Sequence, residues 1–158
     1  MNKYTIIIFA ENKPGVLYRI ADLFLRRKIN IESLTVSESE KDGISRFTIV
    51  VAGDNSIVEK VVKQLYRIIE VVKVIEKTDD ELFFKEIALI KVAIKSAEDR
   101  RNVEAVVRLS QATVIAMSTD HIVIEKEGSE AEIDALYTLV KPFGIKEVVR
   151  SGRIAVLK

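Results

Sequence analysis

TIIIFAENKPGVLYRIADLF, residues 5–24, joins an apolar run to an amphipathic one through a single polar corner. Tyr4–Ala10 is rich in Thr, Ile and Phe and ends at polar turn residues, which reads as a buried strand. Beyond the corner, Val16, Ile20 and Phe24 recur at helical spacing, with Arg19, Asp22 and Arg26 on the opposite side. The chain therefore enters an amphipathic helix at once. Asn12, Pro14 and Gly15 meet the needs of a plain strand-to-helix turn. They also meet those of a binding corner. First-turn N–H groups, here those of Gly15, Val16 and Leu17, have no intrahelical acceptor, and the positive end of the helix dipole favours a carboxylate. Gly15 has no Cβ to obstruct a ligand, and the Asn12 amide suits the polar head of an α-amino acid. Spacing alone admits both readings.

Outward from the corner, Ile31–Glu38 and Ile44–Ala52 read as strands joined by EKDG, whose Gly43 suits a hairpin. Asp54 or Asn55 caps a second helix with an apolar stripe from Ile57 to Ile69, and Val71–Glu76 alternates as a strand. The order β-α-β-β-α-β then recurs at an offset of about 80 residues, a duplication signal. Its parts are a strand at Ile87–Ile94, a helix over roughly Arg100–Ser110 and a hairpin of Thr113–Ser118 with Ile122–Lys126. A helix carrying Ile133, Leu136, Tyr137 and Val140 and a strand at Ile145–Arg150 complete it, with Arg153–Leu157 resuming the strand after a bend at Ser151–Gly152. The predicted fold class is α+β, two consecutive ferredoxin-like βαββαβ units. The boundaries are 1–78 for the first unit, 79–83 for a charged junction and 84–158 for the second. Each unit covers one sheet face with helices. Yet the strands IIIFA, RFTIVVAG and LIKVAI are apolar on both faces for part of their length, so the open face and the edges call for a cover: self-association, domain packing or a larger partner, with oligomerisation expected.

Composition narrows the function. The 25 basic and 24 acidic residues of the 158-residue chain remove the charge excess that drives non-specific nucleic-acid binding. No apolar run reaches the ~20 residues a spanning helix needs, and the short N-terminal run lacks a signal-peptide core; a cytoplasmic location is expected. There is no Cys, and the one His, His121, reads as a solvated hairpin residue. No metal-ligand spacing, phosphate-binding glycine loop or nucleophile elbow is present, and the acidic residues lie scattered among Lys and Arg as on solvated helix faces. Neither catalytic nor metal-binding residues are predicted.

The pattern F-x-E-N-K-P-G-V-L-x-R-I-x-x-L-F-x-R-R-x-x-N-I-E-S-L-T-V, residues 9–36, resembles the N-terminal ACT domain of the small regulatory subunits of acetolactate (acetohydroxyacid) synthase. SRFTIV at 45–50, KQLYRIIEVVKV at 63–74, KEIALIKV at 85–92 and PFGIKEVVRSG at 142–152 extend the resemblance over nearly the whole chain, while 97–118 departs from it. The resemblance implies a non-catalytic subunit that binds and activates the acetolactate synthase catalytic subunit and confers feedback inhibition by valine in branched-chain amino-acid synthesis. It implies a homodimer formed through paired ACT domains, and no cofactor in this chain. Thiamine diphosphate, Mg and FAD are expected on the catalytic partner. The family's effector residues fall here on Asn12, Gly15, Val16 and Leu17 of one chain and on Asn30 and Ile31 of the facing chain. The second half has no Pro-Gly corner before its first helix, so no second effector site is expected there. The competing reading is a free-standing amino-acid-sensing ACT regulator of another target.

Overall fold

The computed structural model describes residues 2–158. The chain forms two compact units, Met1–Phe84 with Arg153–Lys158, and Lys85–Gly152.

In the first unit, β1 (Asn2–Glu11), α1 (Val16–Arg26), β2 (Ile31–Glu38), β3 (Ile44–Gly53), α2 (Asn55–Leu65) and β4 (Val71–Lys77) follow in the predicted order. The strands form an antiparallel sheet, β2-β3-β1-β4. Ile6, Ile8 and Ala10 of β1 and Phe47, Ile49 and Val51 of β3 face the helices and pack on Val16, Ile20, Phe24, Val58, Val61 and Leu65. The helical stripe read from sequence is thus the buried stripe. α1 stops where Lys28 turns left-handed (φ 56°) and Ile29 N–H reaches back to Phe24 O at 3.1 Å, a Schellman-type closure.

The second unit repeats the plan. It holds most of β5 (Leu82–Ala93), then α3 (Ala97–Leu109), β6 (Thr113–Met117), β7 (His121–Gly128), α4 (Glu130–Val140) and β8 (Ile145–Arg150), with strand order β6-β7-β5-β8. Ala88, Ile90, Val92, Ile122 and Ile124 pack against Val103, Val107, Ile133, Leu136 and Val140. α3 ends like α1: Gln111 turns left-handed (φ 52°) and Ala112 N–H bonds Val107 O at 3.0 Å. The repeat therefore extends to how the helix is terminated, although Lys28 and Gln111 share no sequence signal.

Three points refine the sequence reading. First, β5 starts at Leu82, not Ile87, and α3 at Ala97, not Arg100. The junction is one 3-10 turn, Asp79–Glu81, closed by a Thr78–Glu81 capping box, so the chain reaches the next strand almost immediately. Second, Arg153–Leu157 resumes the last strand after the bend, as expected, since β8 and β9 both pair with β5. Gly152 (φ 81°) makes the bend, and β9 (Ile154–Leu157) groups with the first compact unit, whereas the expected second unit ran from 84 to 158. Third, of the covers expected for the open face of the first sheet, packing by the chain's own segments supplies one. Ile7, Leu82 and Ala155 form a small buried cluster with Phe9, Ile75 and Phe84 against it.

Arg153 fastens this strap. It is 5% exposed. Its guanidinium donates to Thr5 Oγ1 at 3.0 Å and Asp79 at 2.5 Å and lies 3.9 Å over the Phe84 ring. Its N–H donates to Ser33 Oγ at 3.0 Å and its carbonyl accepts from Thr35 Oγ1 at 3.0 Å. A buried cation with this many partners is compensated, and the two backbone hydrogen bonds of Arg153 hold β2, an edge strand of the sheet.

Candidate functional site

The corner between β1 and α1 is pinned from both sides. Glu11 N–H donates to Glu70 O at 2.9 Å, and Asn12 N–H to Gly43 O at 2.8 Å. Gly15 sits at φ 87°, left-handed, where a side chain is disfavoured, and its carbonyl takes the first helical bond, from Arg19 N–H at 3.1 Å. The space a Cβ would occupy is open, with no atom within 4 Å. Among the described residues no acceptor engages the Gly15 or Leu17 N–H, whereas Val16 N–H makes a long 3.4 Å turn bond to Lys13 O. Asn12, Gly15 and Leu17 are exposed; Val16 is a core residue at 2% exposure, so only its backbone faces the corner.

Two cations flank the corner, each with an anion of its own. Lys13 pairs with Glu11, whose hydrogen bond raises the ammonium above its ordinary pKa. Arg19 pairs with Glu70 at 2.6 Å. The Arg19–Glu70 pair was missed from the sequence, because nothing in the spacing links residues 51 apart.

Helix N-termini differ between the repeats. α1 has no side-chain cap and no acidic residue in its first turn. α3, its counterpart, is capped by Ser96 Oγ, which accepts from Asp99 N–H at 3.0 Å, and Glu98 and Asp99 occupy its first turn. The dipole end of α3 is thus already complemented by its own chain, and that of α1 is not.

Asn30 and Ile31 lie elsewhere. Ile31 pairs with Val51, and Val51 with Tyr4, whereas the corner follows Glu11, which pairs with Ile44. The strand between Tyr4 and Glu11 puts about 23 Å between the two sets. Within one chain Asn12, Gly15, Val16 and Leu17 come together, and Asn30 and Ile31 sit at the other end of the sheet. Asn30 is exposed and Ile31 half-buried against the main core.

The two sheet edges are unlike. On β4 the Tyr66 hydroxyl accepts from Val74 N–H and donates to Val74 O, each at 3.1 Å, which occupies outward ladder groups. On β2 the side chains of Leu34 and Val36 are 37% and 43% exposed. His121, expected in solvent, opens β7 with its side chain only 20% exposed and bonded to Asp120 at 2.8 Å. Among the described residues, no three His, Asp or Glu side chains are placed to hold a metal ion, and no helix is long and apolar enough to cross a membrane.

Two ferredoxin-like units, the first opening its leading helix at an uncapped Pro-Gly corner, define an ACT-type protein, and residues 6–73 match the model of the AHAS small subunit-like ACT domain. Residues 85–158 match the model described as small subunit of acetolactate synthase. The chain is 43% identical over 156 residues to the probable acetolactate synthase small subunit of Archaeoglobus fulgidus, covering 99% of this chain and 97% of that one. It is 39% identical to the acetolactate synthase small subunit of Mycolicibacterium smegmatis, over 97% and 89% of the two chains. The crystal structure of the small subunit from Thermotoga maritima superposes with a TM-score of 0.92 at 34% identity, over 100% of this chain and 98% of that one. The chain belongs to the acetolactate synthase small-subunit family.

Proposed function

We propose that this chain is the non-catalytic regulatory subunit of acetolactate synthase: it binds and activates the catalytic subunit and transmits feedback inhibition by valine. In this reading thiamine diphosphate, Mg and FAD belong to the catalytic partner. The observation that carries the effector site is the uncapped N-terminus of α1, with Gly15 and Leu17 N–H groups free above an open glycine, beside the self-capped α3. A carboxylate there gains the dipole and charge-assisted hydrogen bonds.

The effector's other contacts come from a second chain. Two first units joined antiparallel through their β2 edges bring the start of one β2 beside the end of the other. Asn30 and Ile31 then approach the partner's Asn12–Leu17 corner, which they cannot reach in their own chain. The plugged β4 edge and the apolar Leu34 and Val36 favour β2 as the joining edge. Valine shifts the catalytic partner only by binding two arrangements of this pair unequally, and a coupling of about 1–3 kcal/mol gives ~5–150-fold inhibition. The preference for valine over leucine follows from the family resemblance, since one methylene separates ligands by only ~1–3 kcal/mol.

Co-purification with the catalytic subunit, followed by acetolactate assays with and without valine, tests the proposal. Added chain should raise the rate and valine should lower it again. A chain that neither binds nor activates that subunit refutes it.

A further inference from the structure

Between the outer faces of α1 and α2 runs an open groove of about 790 Å³. Its charged lining is four arginines, Arg19, Arg26, Arg27 and Arg67, against one aspartate, Asp22, in a chain whose total charge is only +1. Arg19 is held by Glu70, Arg26 by Asp22 at 2.8 Å, and Arg27 donates to Gln64 at 3.1 Å. Among the described residues no side-chain partner engages Arg67. Beside these cations stand Tyr18, 74% exposed, and Ile69, 90% exposed. Exposed Arg and Tyr around an aliphatic anchor is the composition of an interface centre.

Other surfaces of the first unit differ in character, and the outer side of the strap is apolar, with Phe83, Ile154 and Val156 exposed. The second sheet face carries the strap, the β4 edge is occupied by Tyr66, and the β2 edge is the proposed pairing edge. The helix layer is the surface lined by arginines, which suits a partner bearing carboxylates. α1 also begins at the effector corner and runs along the groove, so one rigid element bears both.

We propose that this groove docks a carboxylate-bearing segment of the catalytic subunit. A carboxylate of that segment pairs with Arg67, and an apolar side chain lies against Ile69 and Tyr18. The inference rests on the regulatory-subunit reading and deepens it by assigning the contact surface. A protein segment fits better than a small anion because the four arginines are part of an open surface and none is buried, whereas a small-ligand pocket encloses its polar groups. It fits better than nucleic acid because the chain lacks the overall basic excess.

The test is the affinity of the full chain for the purified catalytic subunit at low and high salt, for wild type, Arg67→Glu and Arg101→Glu. The last makes the same charge change on an exposed residue of α3. Arg67→Glu should weaken binding by about tenfold or more at low salt, with the gap closing as salt screens the pair. Arg101→Glu should bind like wild type, and calorimetric valine binding to the isolated Arg67→Glu chain should be unchanged. Equal affinities of Arg67→Glu and wild type overturn the docking assignment and leave the regulatory reading standing. So does wild-type binding of tripolyphosphate or a single-stranded oligonucleotide that Arg67→Glu abolishes while leaving subunit association intact. If the wild-type chain itself fails to bind the catalytic subunit, both proposals fall.

Discussion

Gly15→Asp separates a binding corner from a plain turn. Gly15 lies at φ 87° with open space at its Cβ, so the new side chain meets no atom and the cost is backbone strain alone. For a left-handed residue that is about 1–2 kcal/mol, at the lower end for Asp. The melting temperature should fall by about 2–4 °C, on the usual scaling for 150–250 residues. The ligand loses far more. The Asp carboxylate stands where the effector's carboxylate binds, and two like charges about 4 Å apart repel by roughly 4 kcal/mol at the effective dielectric of a protein surface. Halved for solvent exposure, that repulsion still weakens valine by more than tenfold, and the displaced charge-assisted hydrogen bonds add about 1.5–3 kcal/mol. The valine dissociation constant should rise about 100-fold or more, at ~1.4 kcal/mol per tenfold. Gly15→Ala shares the strain without the charge and should lose much less. The assay is calorimetric titration of valine, with the inhibition curve of the reconstituted enzyme beside it. Activation of the catalytic subunit should survive. An inhibition curve unchanged in Gly15→Asp would refute the corner as the effector site.

Other outcomes follow from the same structure. Arg153→Ala, which removes the buried cation while Asp79 stays partly solvated, should cost about 2–3 kcal/mol and release the strap, read as a lower melting temperature and faster proteolysis after Gly152; Arg153→Lys should recover part of it. Glu76 is raised above its ordinary pKa by burial and then by the Glu59 charge, and its Oε2 has no hydrogen-bond partner. A raised carboxyl contributes stability that is complete below its unfolded pKa and lost as pH rises through the folded one. Glu76→Gln should therefore be more stable than wild type at neutral pH, and the difference should vanish below about pH 4, as followed by urea unfolding against pH. Tyr66→Phe frees the Val74 N–H and C=O on the β4 edge; a stability loss of about 1 kcal/mol and added concentration-dependent association in light scattering are expected.

Elements with strong apolar periodicity were legible in the sequence. α1 announced itself through Val16, Ile20 and Phe24, and β2 and β8 begin and end where their residue patterns do. The start of α3 was less visible because its polar first turn, Ala97–Asp99, carries no apolar stripe; the Ser96-x-x-Asp99 cap was the available signal. The strap was legible as a strand resumed after Ser151–Gly152, but its packing on the first sheet was not. Its destination is set by Arg153 meeting Thr5 and Asp79, contacts 148 and 74 residues away in sequence. The corner was readable from Asn12, Pro14 and Gly15 because backbone demands leave residue signatures. That Asn30 lies at the far end of the sheet is a matter of strand register, which one sequence does not display.

A mixing experiment with two variants tests most directly whether the site is shared between chains. Gly15→Asp and Asn30→Ala damage opposite halves of the proposed site, so each homodimer should bind valine poorly. After the two are unfolded together and refolded, each heterodimer holds one doubly damaged site and one intact site, and about a quarter of all sites should regain wild-type affinity by calorimetry. A mixture that binds no better than the two separate variants would contradict a valine site built from the corner of one chain and Asn30 of the other.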